Sequence, residues 1–116
     1  MRYSFKHYKL NTNQYTYVFN NVKYKVFSDC FTILIADSNK NPGYGVIVPK
    51  KNVKLSSRRN LCKRIVREFY KKIYCTDLFN QKHVVFIANK NAKNIDKYRL
   101  WKSLDNFFIQ SQALLK

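Results

Sequence analysis

Residues 56–74 constrain the fold most, because their side chains alternate between apolar and cationic with the period of an α-helix. At about 100° per residue, one arc of this helix carries Leu61, Cys62, Ile65, Val66, Phe69 and Ile73. The opposite arc carries Arg59, Lys63, Arg64, Arg67 and Lys71. Ser56 or Ser57 can cap the first turn. We therefore predict a helix that packs its apolar side on a sheet and presents cations to the outside.

The remaining periodicities predict four strands and two more helices. The strands span residues 22–27, 30–36, 44–48 and 83–88. One helix is capped by Asn11 or Thr12 and ends near Asn20, and the last one starts at Asn94 or Asp96 and ends near Leu115. The inward side chains of the last helix are Leu100, Trp101, Leu104, Phe107 and Phe108.

The predicted order of elements, α-β-β-β-α-β-α, places a helix between two strands with parallel-sheet patterning. This order predicts an α+β fold, a split β-α-β arrangement in a two-layer α/β sandwich with the helices on one face of a four-stranded sheet. No internal repeat or low-complexity linker divides the sequence. Residues 1–116 are therefore expected to form a single domain.

The chain is strongly basic, with 23 Lys and Arg residues against six Asp and Glu residues, a formal net charge of +17 and a pI of about 10.0. A folded domain cannot pair this excess internally, so a polyanion that neutralises the surface would stabilise the protein. RNA or DNA is a better candidate than an anionic membrane, because the sequence contains no long apolar helix.

The cysteines favour a reducing environment. Cys30, Cys62 and Cys75 are odd in number and contain no C-x-x-C pair, so they predict neither a zinc site nor a disulfide framework. Residues 1–10 lack the apolar core of an export signal. We therefore expect buried, reduced thiols in a cytoplasmic protein.

One set of cations and one amide are candidates for RNA binding: Lys50, Lys51, Arg58, Arg59, Asn60, Lys63, Arg64, Arg67 and Lys71. Arg59, Lys63 and Arg67 stand one helical turn apart, so they form a row that can follow a phosphate backbone. Asn60 can reach a base edge or a 2′-hydroxyl, or can fix the start of the helix. The alternative is a solvated helix face, although only Glu68 offers these cations an acidic partner one turn away.

A second candidate set is aromatic. Tyr15 and Phe19 are one helical turn apart, and Phe31 is on the neighbouring predicted strand, so the three could stack on unpaired bases. Ordinary core packing is the alternative, and the residues alone favour it.

No active site emerges from the residues. The acids are Asp29, Asp37, Glu68, Asp77, Asp96 and Asp105, and they show neither paired-carboxylate nor metal-ligand spacing. His7 and His83 are isolated, and no glycine-rich phosphate loop is present. We expect no catalytic residue and no metal ligand in this chain, so any catalysis belongs to a partner.

Two nearby stretches of the sequence carry a resemblance to a known family. Residues 45–53 (GVIVPKKNV) and 59–68 (RNLCKRIVRE) closely resemble the bacterial ribonuclease P protein component, which carries a strand, a Lys-Lys-x-Val turn and a helix beginning Arg-Asn-Arg-x-Lys-Arg-x-x-Arg-Glu. Residues 83–88 and 95–115 resemble its last strand and last helix, and residues 15–19 (YTYVF) its first-helix Phe-x-x-Val-Phe. The resemblance covers about residues 9 to 115.

Four positions depart from the family's pattern. Leu61 stands where the second Arg of Arg-Asn-Arg is usual, which removes one phosphate ligand, and the neighbouring Arg58 is a candidate to replace it. Cys62 replaces a branched aliphatic residue, and Tyr15 replaces Phe. The family usually has a further aromatic near Leu34, so we expect the aromatic cleft of this chain to contain fewer aromatic side chains.

The resemblance implies a fold and a function. The sheet would contain an unusual left-handed β-α-β crossover, against the general rule, as in the second domain of a small-subunit ribosomal protein. The Arg-Asn helix would bind the large catalytic RNA of ribonuclease P, with one protein chain per RNA. A cleft formed by the first helix and the sheet would take the single-stranded 5′ leader of precursor tRNA. The RNA would hold Mg²⁺ and act as the endoribonuclease that releases the leader.

Three other classes share part of this pattern. A ribosomal-type structural protein would share the charge and the fold but would need no aromatic cleft. A DNA-binding architectural module would prefer duplexes, and aromatics beside a sheet argue against it. A self-sufficient nuclease would need acids or a His pair that this sequence lacks.

Overall fold

The computed structural model describes residues 8–38, 41–74, 76–93 and 96–115. The helices are α1 (Thr12–Asn20), α2 (Ser56–Ile73) and α3 (Lys97–Leu115), and the strands are β1 (Tyr24–Phe27), β2 (Phe31–Asp37), β3 (Gly43–Ile47) and β4 (Lys82–Ala88). A 3-10 turn at Lys90–Ala92 lies between β4 and α3. The predicted order α-β-β-β-α-β-α and the α+β class are confirmed.

The four strands form one mixed sheet in the order β1-β2-β4-β3. β2 pairs antiparallel with both β1 and β4, whereas β3 pairs parallel with β4. Parallel neighbours need a crossover, and α2 provides it between β3 and β4. The prediction of a split β-α-β arrangement is wrong, because no strand lies between β3 and β4. The two central strands are buried on both faces, which explains why residues 30–36 and 83–88 are nearly continuous apolar runs.

The helices are divided between the two faces of the sheet, so the expectation that all of them share one face is wrong. α2 and α3 cover one face with the main core, which includes Ile33 and Phe86. α1 covers the other face, where its Val18 packs with Leu34 and Val85. Successive residues of a strand point to opposite faces, and β2 and β4 are apolar on both, so each face needs a helical cover.

The helix starts follow the predicted capping residues in two of three cases. Asn11 caps α1, with reciprocal hydrogen bonds to Gln14 of 2.8 and 2.9 Å. Asp96 accepts a 2.9 Å hydrogen bond from the backbone N–H of Arg99 in α3, whereas Asn94 lies outside the described residues. The prediction that Ser56 or Ser57 caps α2 is wrong, because both lie inside the helix.

The N-cap residue of α2 is Leu55, whose side chain makes no capping hydrogen bond. The loop that leads into this helix is held differently. The guanidinium of Arg59 donates hydrogen bonds to the backbone carbonyls of Val53, at 3.0 Å, and Lys54, at 2.7 Å. A residue of the first turn therefore reaches back to fix the entry of the chain.

The two cysteines among the described residues, Cys30 and Cys62, are free and buried, as the sequence predicts for them. Burial, and secondarily the nearby Asp29, raise the pKa of the Cys30 thiol to about 11. Burial also raises the pKa of Cys62. Cys75 lies outside the described residues.

Candidate nucleic-acid interface

The outer face of α2 carries the predicted row of cations. Residues four apart on a helix differ by about 40° in direction, so Arg59, Lys63 and Arg67 lie within an arc of about 80°. Lys63 is exposed and the two arginines are partly exposed, so none of the three is sealed beneath another element. We call Arg59, Asn60, Lys63, Arg67 and Lys71 the cationic face of α2.

Arg59 has a structural contact as well as a place on this face. Its Nη1 is committed to the carbonyls of Val53 and Lys54, while the rest of the guanidinium keeps its donors. Asn60, the next residue, is exposed, in agreement with a role at the surface. Arg59 can therefore order the loop before α2 and still present a charge to a phosphate.

Glu68 reduces the positive charge at one point of the cationic face. Its carboxylate lies 3.4 Å from the ammonium of Lys71 and 3.9 Å from Nε of Arg67. All three side chains are more than 40% exposed, and exposed pairs of this kind contribute little to stability. A phosphate that approaches the face can therefore compete with Glu68 for both cations.

Arg64 extends the cationic surface away from this row, since it lines a groove between α2 and α3 together with Lys72 and Trp101. Arg58 lies on the other flank, close enough to Cys62 to act on the pKa of its thiol. The predicted RNA-binding residues of α2 thus do not form one line.

Lys50 and Lys51 lie in the turn between β3 and α2, and both are exposed. Lys51, Asn52, Lys54, Leu55, Lys90 and Lys93 line a hollow of about 430 Å³. Asn52 holds the two walls together, because its side-chain amide donates a 2.9 Å hydrogen bond to the carbonyl of Ala88 at the end of β4. We call this site the lysine hollow.

Sequence reasoning missed Lys54, Lys90 and Lys93 as members of this site. Lys90 and Lys93 are about forty positions from Lys51, and only the parallel pairing of β3 with β4 brings the ends of both strands together. The signal that could have found them is the position of each lysine just after a predicted strand.

The three predicted aromatic residues do not form one cleft, and the inclusion of Phe31 is wrong. Phe31 is fully buried in the main core, where its ring packs edge-on against Phe86 at a centroid distance of 6.5 Å. It therefore points away from α1, on the opposite face of the sheet. A base cannot reach it without unfolding the core.

Tyr15 and Phe19 lie on the α1 side of the sheet. Tyr15 is partly buried, and its hydroxyl oxygen accepts a 3.0 Å hydrogen bond from the backbone N–H of Val46 in β3. Phe19 is 47% exposed, and Tyr17, which sequence reasoning did not select, is 44% exposed. α1 therefore places Tyr15 beside β3 and leaves the rings of Tyr17 and Phe19 accessible.

Two of the acids among the described residues serve ion pairs away from α2. Asp29 accepts two hydrogen bonds from the Arg99 guanidinium, at 2.6 and 3.0 Å, and this contact lowers the pKa of Asp29. Asp37 lies between Lys82 and Lys23, which lower its pKa. Neither carboxylate is directed at the cationic face of α2.

The described residues contain no group of three His, Cys, Asp or Glu side chains that could hold a metal ion. Nor does any helix among them combine the length and the apolar character that crossing a bilayer requires.

A β-α-β crossover between neighbouring parallel strands, with a cationic helix face, lysines at the ends of those two strands and aromatics beside the sheet, defines a small, basic, nucleic-acid-binding α+β protein. Similarity to known proteins identifies the family within this class. Residues 6–112 match the family described as Ribonuclease P. The ribonuclease P protein component of a Photobacterium profundum strain is 36% identical over 100 residues, which cover 85% of this chain and 82% of that one.

Other relatives agree. The ribonuclease P protein component of Vibrio vulnificus (strain YJ016) is 31% identical over 100 residues, again covering 85% of this chain and 82% of the relative. The fold is that of the RNase P protein of Staphylococcus aureus, with a TM-score of 0.77 at 20% identity over 90% of this chain and 94% of that one. For the Thermotoga maritima RNase P protein the TM-score is 0.72 at 20% identity, over 88% and 96%.

The chain therefore belongs to the ribonuclease P protein family. It is a protein subunit of the ribonuclease P holoenzyme, an endoribonuclease of tRNA processing in which the protein has an RNA partner. The alternative of a ribosomal-type structural protein is not favoured.

Proposed function

We propose that this subunit binds the catalytic RNA through the cationic face of α2 and assists removal of the 5′ leader from precursor tRNA. The observation that carries the proposal is the common direction of Arg59, Lys63 and Arg67 on an accessible side of α2. Arginine offers phosphate a two-pronged contact and lysine a point charge, so the row suits an RNA backbone better than a single small anion.

The described part of the chain contributes binding and charge screening rather than a reacting group. In the proposed assembly one protein chain joins one catalytic RNA, in the cytoplasm, and Mg²⁺ held by that RNA supplies the chemistry of phosphodiester cleavage. The cations of α2 and of the lysine hollow reduce repulsion between the phosphates of the catalytic RNA and those of its substrate. Lower repulsion should reduce the Mg²⁺ concentration that cleavage requires.

The leader is proposed to run along α1, with unpaired bases on Tyr15 and Phe19 and phosphates at the lysine hollow. Phe19 is accessible enough to stack, and the hydrogen bond from Val46 to Tyr15 fixes the ring of Tyr15 beside β3. Phe31 has no part in this path, because it is buried in the main core.

Cleavage of precursor tRNA by a bacterial catalytic RNA at low Mg²⁺, with and without this chain, tests the proposal. We expect the chain to accelerate cleavage at low Mg²⁺ and to have little effect at high Mg²⁺, where the metal ion alone screens the phosphates. Equal rates with and without the chain at low Mg²⁺ would contradict the proposal.

The leader path has its own matched variants. Phe19→Ala should weaken binding of precursor tRNA to the holoenzyme by about 1–3 kcal/mol, the contribution of one stacked base, and should leave binding of mature tRNA unchanged. Phe27→Ala is the control, because Phe27 is also an exposed phenylalanine, at 63%, but lies on the edge strand β1. Equal effects of the two substitutions in a binding assay would exclude a specific role for Phe19.

A further inference from the structure

A groove between α2 and the start of α3 lies beside the cationic face of α2. Its volume is about 470 Å³, and it is lined by Arg64, Ile65, Glu68, Lys72, Lys97 and Trp101. Three of these six residues are cations, and the carboxylate of Glu68, the acid among them, lies 3.4 Å from Lys71. The groove therefore has an excess of positive charge, which suits a phosphate.

Trp101 provides an aromatic surface in this groove. It is the single tryptophan of the sequence and is partly exposed. Phe69 packs edge-on against it at a centroid distance of 6.2 Å, which anchors the indole to the main core. The Lys72 ammonium lies 4.8 Å from the centroid of the ring. Because the side chain of Lys72 is exposed, it can turn away and leave its place to a stacked base.

We propose that the groove between α2 and α3 binds an unpaired nucleotide of the catalytic RNA, with its base on Trp101 and its phosphate held by Arg64 and Lys97. This proposal rests on the proposed function, because Arg64 connects the groove to the cationic face of α2 that is proposed to bind the same RNA. The interface with the catalytic RNA then extends from one helix to two.

Trp101 fluorescence reports the site directly, since no other tryptophan contributes. The full chain is titrated with oligoadenylate and with an abasic phosphodiester of the same length, with excitation at a wavelength where tyrosine does not absorb. We expect oligoadenylate to quench Trp101 and the abasic chain to leave its emission largely unchanged. Equal quenching by both probes, or none by either, would overturn the proposal.

Two charge reversals on α3 form a matched pair. Lys97→Glu changes the groove, whereas Lys102→Glu makes the same change in net charge beside a separate hollow that includes Asp29 and Arg99. We expect Lys97→Glu to weaken the oligoadenylate titration by about tenfold, as the loss of one charge-assisted contact would, and Lys102→Glu to change it by less than about twofold. Equal weakening by the two variants would show only a general effect of charge and would refute the site.

The same titration with a bacterial catalytic RNA tests which RNA supplies the nucleotide. We expect the catalytic RNA to quench Trp101 before any precursor tRNA is added. Quenching that begins only after precursor tRNA is added would contradict the assignment of the nucleotide to the catalytic RNA. Cleavage at low Mg²⁺ is measured on the same samples. Accelerated cleavage without quenching would refute the groove and leave the proposed function intact, whereas absent acceleration would refute the proposed function.

Discussion

Arg59 shows how one side chain can belong both to a proposed interface and to the contacts that hold the fold. The sequence places it in the cationic row, and the sequence alone predicts that replacing the row with alanine leaves folding intact. The structure leads us to expect a different result for this residue, because Nη1 of Arg59 donates hydrogen bonds to the carbonyls of Val53 and Lys54. The periodicity of a helix identifies the exposed side of a residue but not the backbone groups that a long side chain can reach.

The first prediction separates the two roles. Arg59→Ala should lower the free energy of unfolding by about 1–2 kcal/mol, because the two loop carbonyls lose a charged donor, and should also weaken RNA binding. Lys63→Ala should weaken RNA binding and leave the unfolding free energy within about 0.5 kcal/mol of the wild type. Urea denaturation and RNA titration check both, and an unchanged stability for Arg59→Ala would show that its hydrogen bonds do not hold the loop.

His83 is a second residue whose surroundings set a measurable property. Its side chain is almost fully buried beside Tyr17, and burial lowers its pKa below the ordinary value of 6.5. The imidazole of His83 then binds a proton more readily in the unfolded chain than in the folded one, so its contribution to stability is fully present above pH 6.5 and is lost as the pH falls through 6.5 toward the lower folded value.

We therefore expect His83→Gln to reduce the loss of stability between about pH 7.5 and about pH 5.5. Urea unfolding of both proteins at the two values is the measurement. Asp29 and Asp37 do not contribute to the change of stability between these two pH values, because their pKa values lie below the ordinary 3.8 and both groups titrate only in stronger acid. The same pH dependence in both proteins would contradict the role of burial at His83.

At the scale of elements, the packing of α1 on β3 depends on a glycine. A Cβ atom at Gly45 would collide with the ring of Tyr15, whose hydroxyl oxygen accepts the hydrogen bond from Val46. The absence of a side chain at Gly45 thus lets α1 lie close to the sheet. The same contact sets the position of the proposed leader path.

Gly45→Ala should therefore destabilise the fold by about 1–3 kcal/mol, the usual cost of overpacking, and weaken binding of precursor tRNA. In the background of Tyr15→Ala the same substitution should cost much less, because the ring that it meets is gone. A double-mutant cycle from urea denaturation measures this coupling. Additive costs would show that Gly45 and Tyr15 do not interact.

The limits of sequence reasoning are also clearest at this scale. The order of the elements follows from periodicity, but the face on which each helix packs does not, because β2 is apolar on both sides. Phe31, Ile33 and Ile35 point to the main core, while Leu34 and Ala36 point to α1. A shift of one residue exchanges the two faces of a strand, and this is why sequence reasoning places Phe31 on the wrong side.

For the whole molecule, charge and topology together produce the proposed interface. The net charge of +17 predicts a polyanionic partner, and the α2 motif identifies the helix that we propose binds it. The groove between α2 and α3 depends instead on contact between distant segments, which no local pattern predicts. The lysine hollow also joins distant segments, and its one sequence signal is the lysines that follow two predicted strands. The cationic surface is consequently wider than the row seen in the sequence.

The salt dependence of binding to the catalytic RNA tests the central claim most directly. If about six phosphates are neutralised, the logarithm of the binding constant should fall with the logarithm of salt concentration at a slope of about −4 to −5. Replacing Lys63, Arg64 and Arg67 with alanine should make this slope shallower by about 2 to 3. The same change at Lys23, just before β1, at Lys25 on β1 and at Lys102 on α3 should leave the slope nearly unchanged. A wild-type slope shallower than about −1, or equal reductions in the two triple variants, would contradict an interface centred on α2.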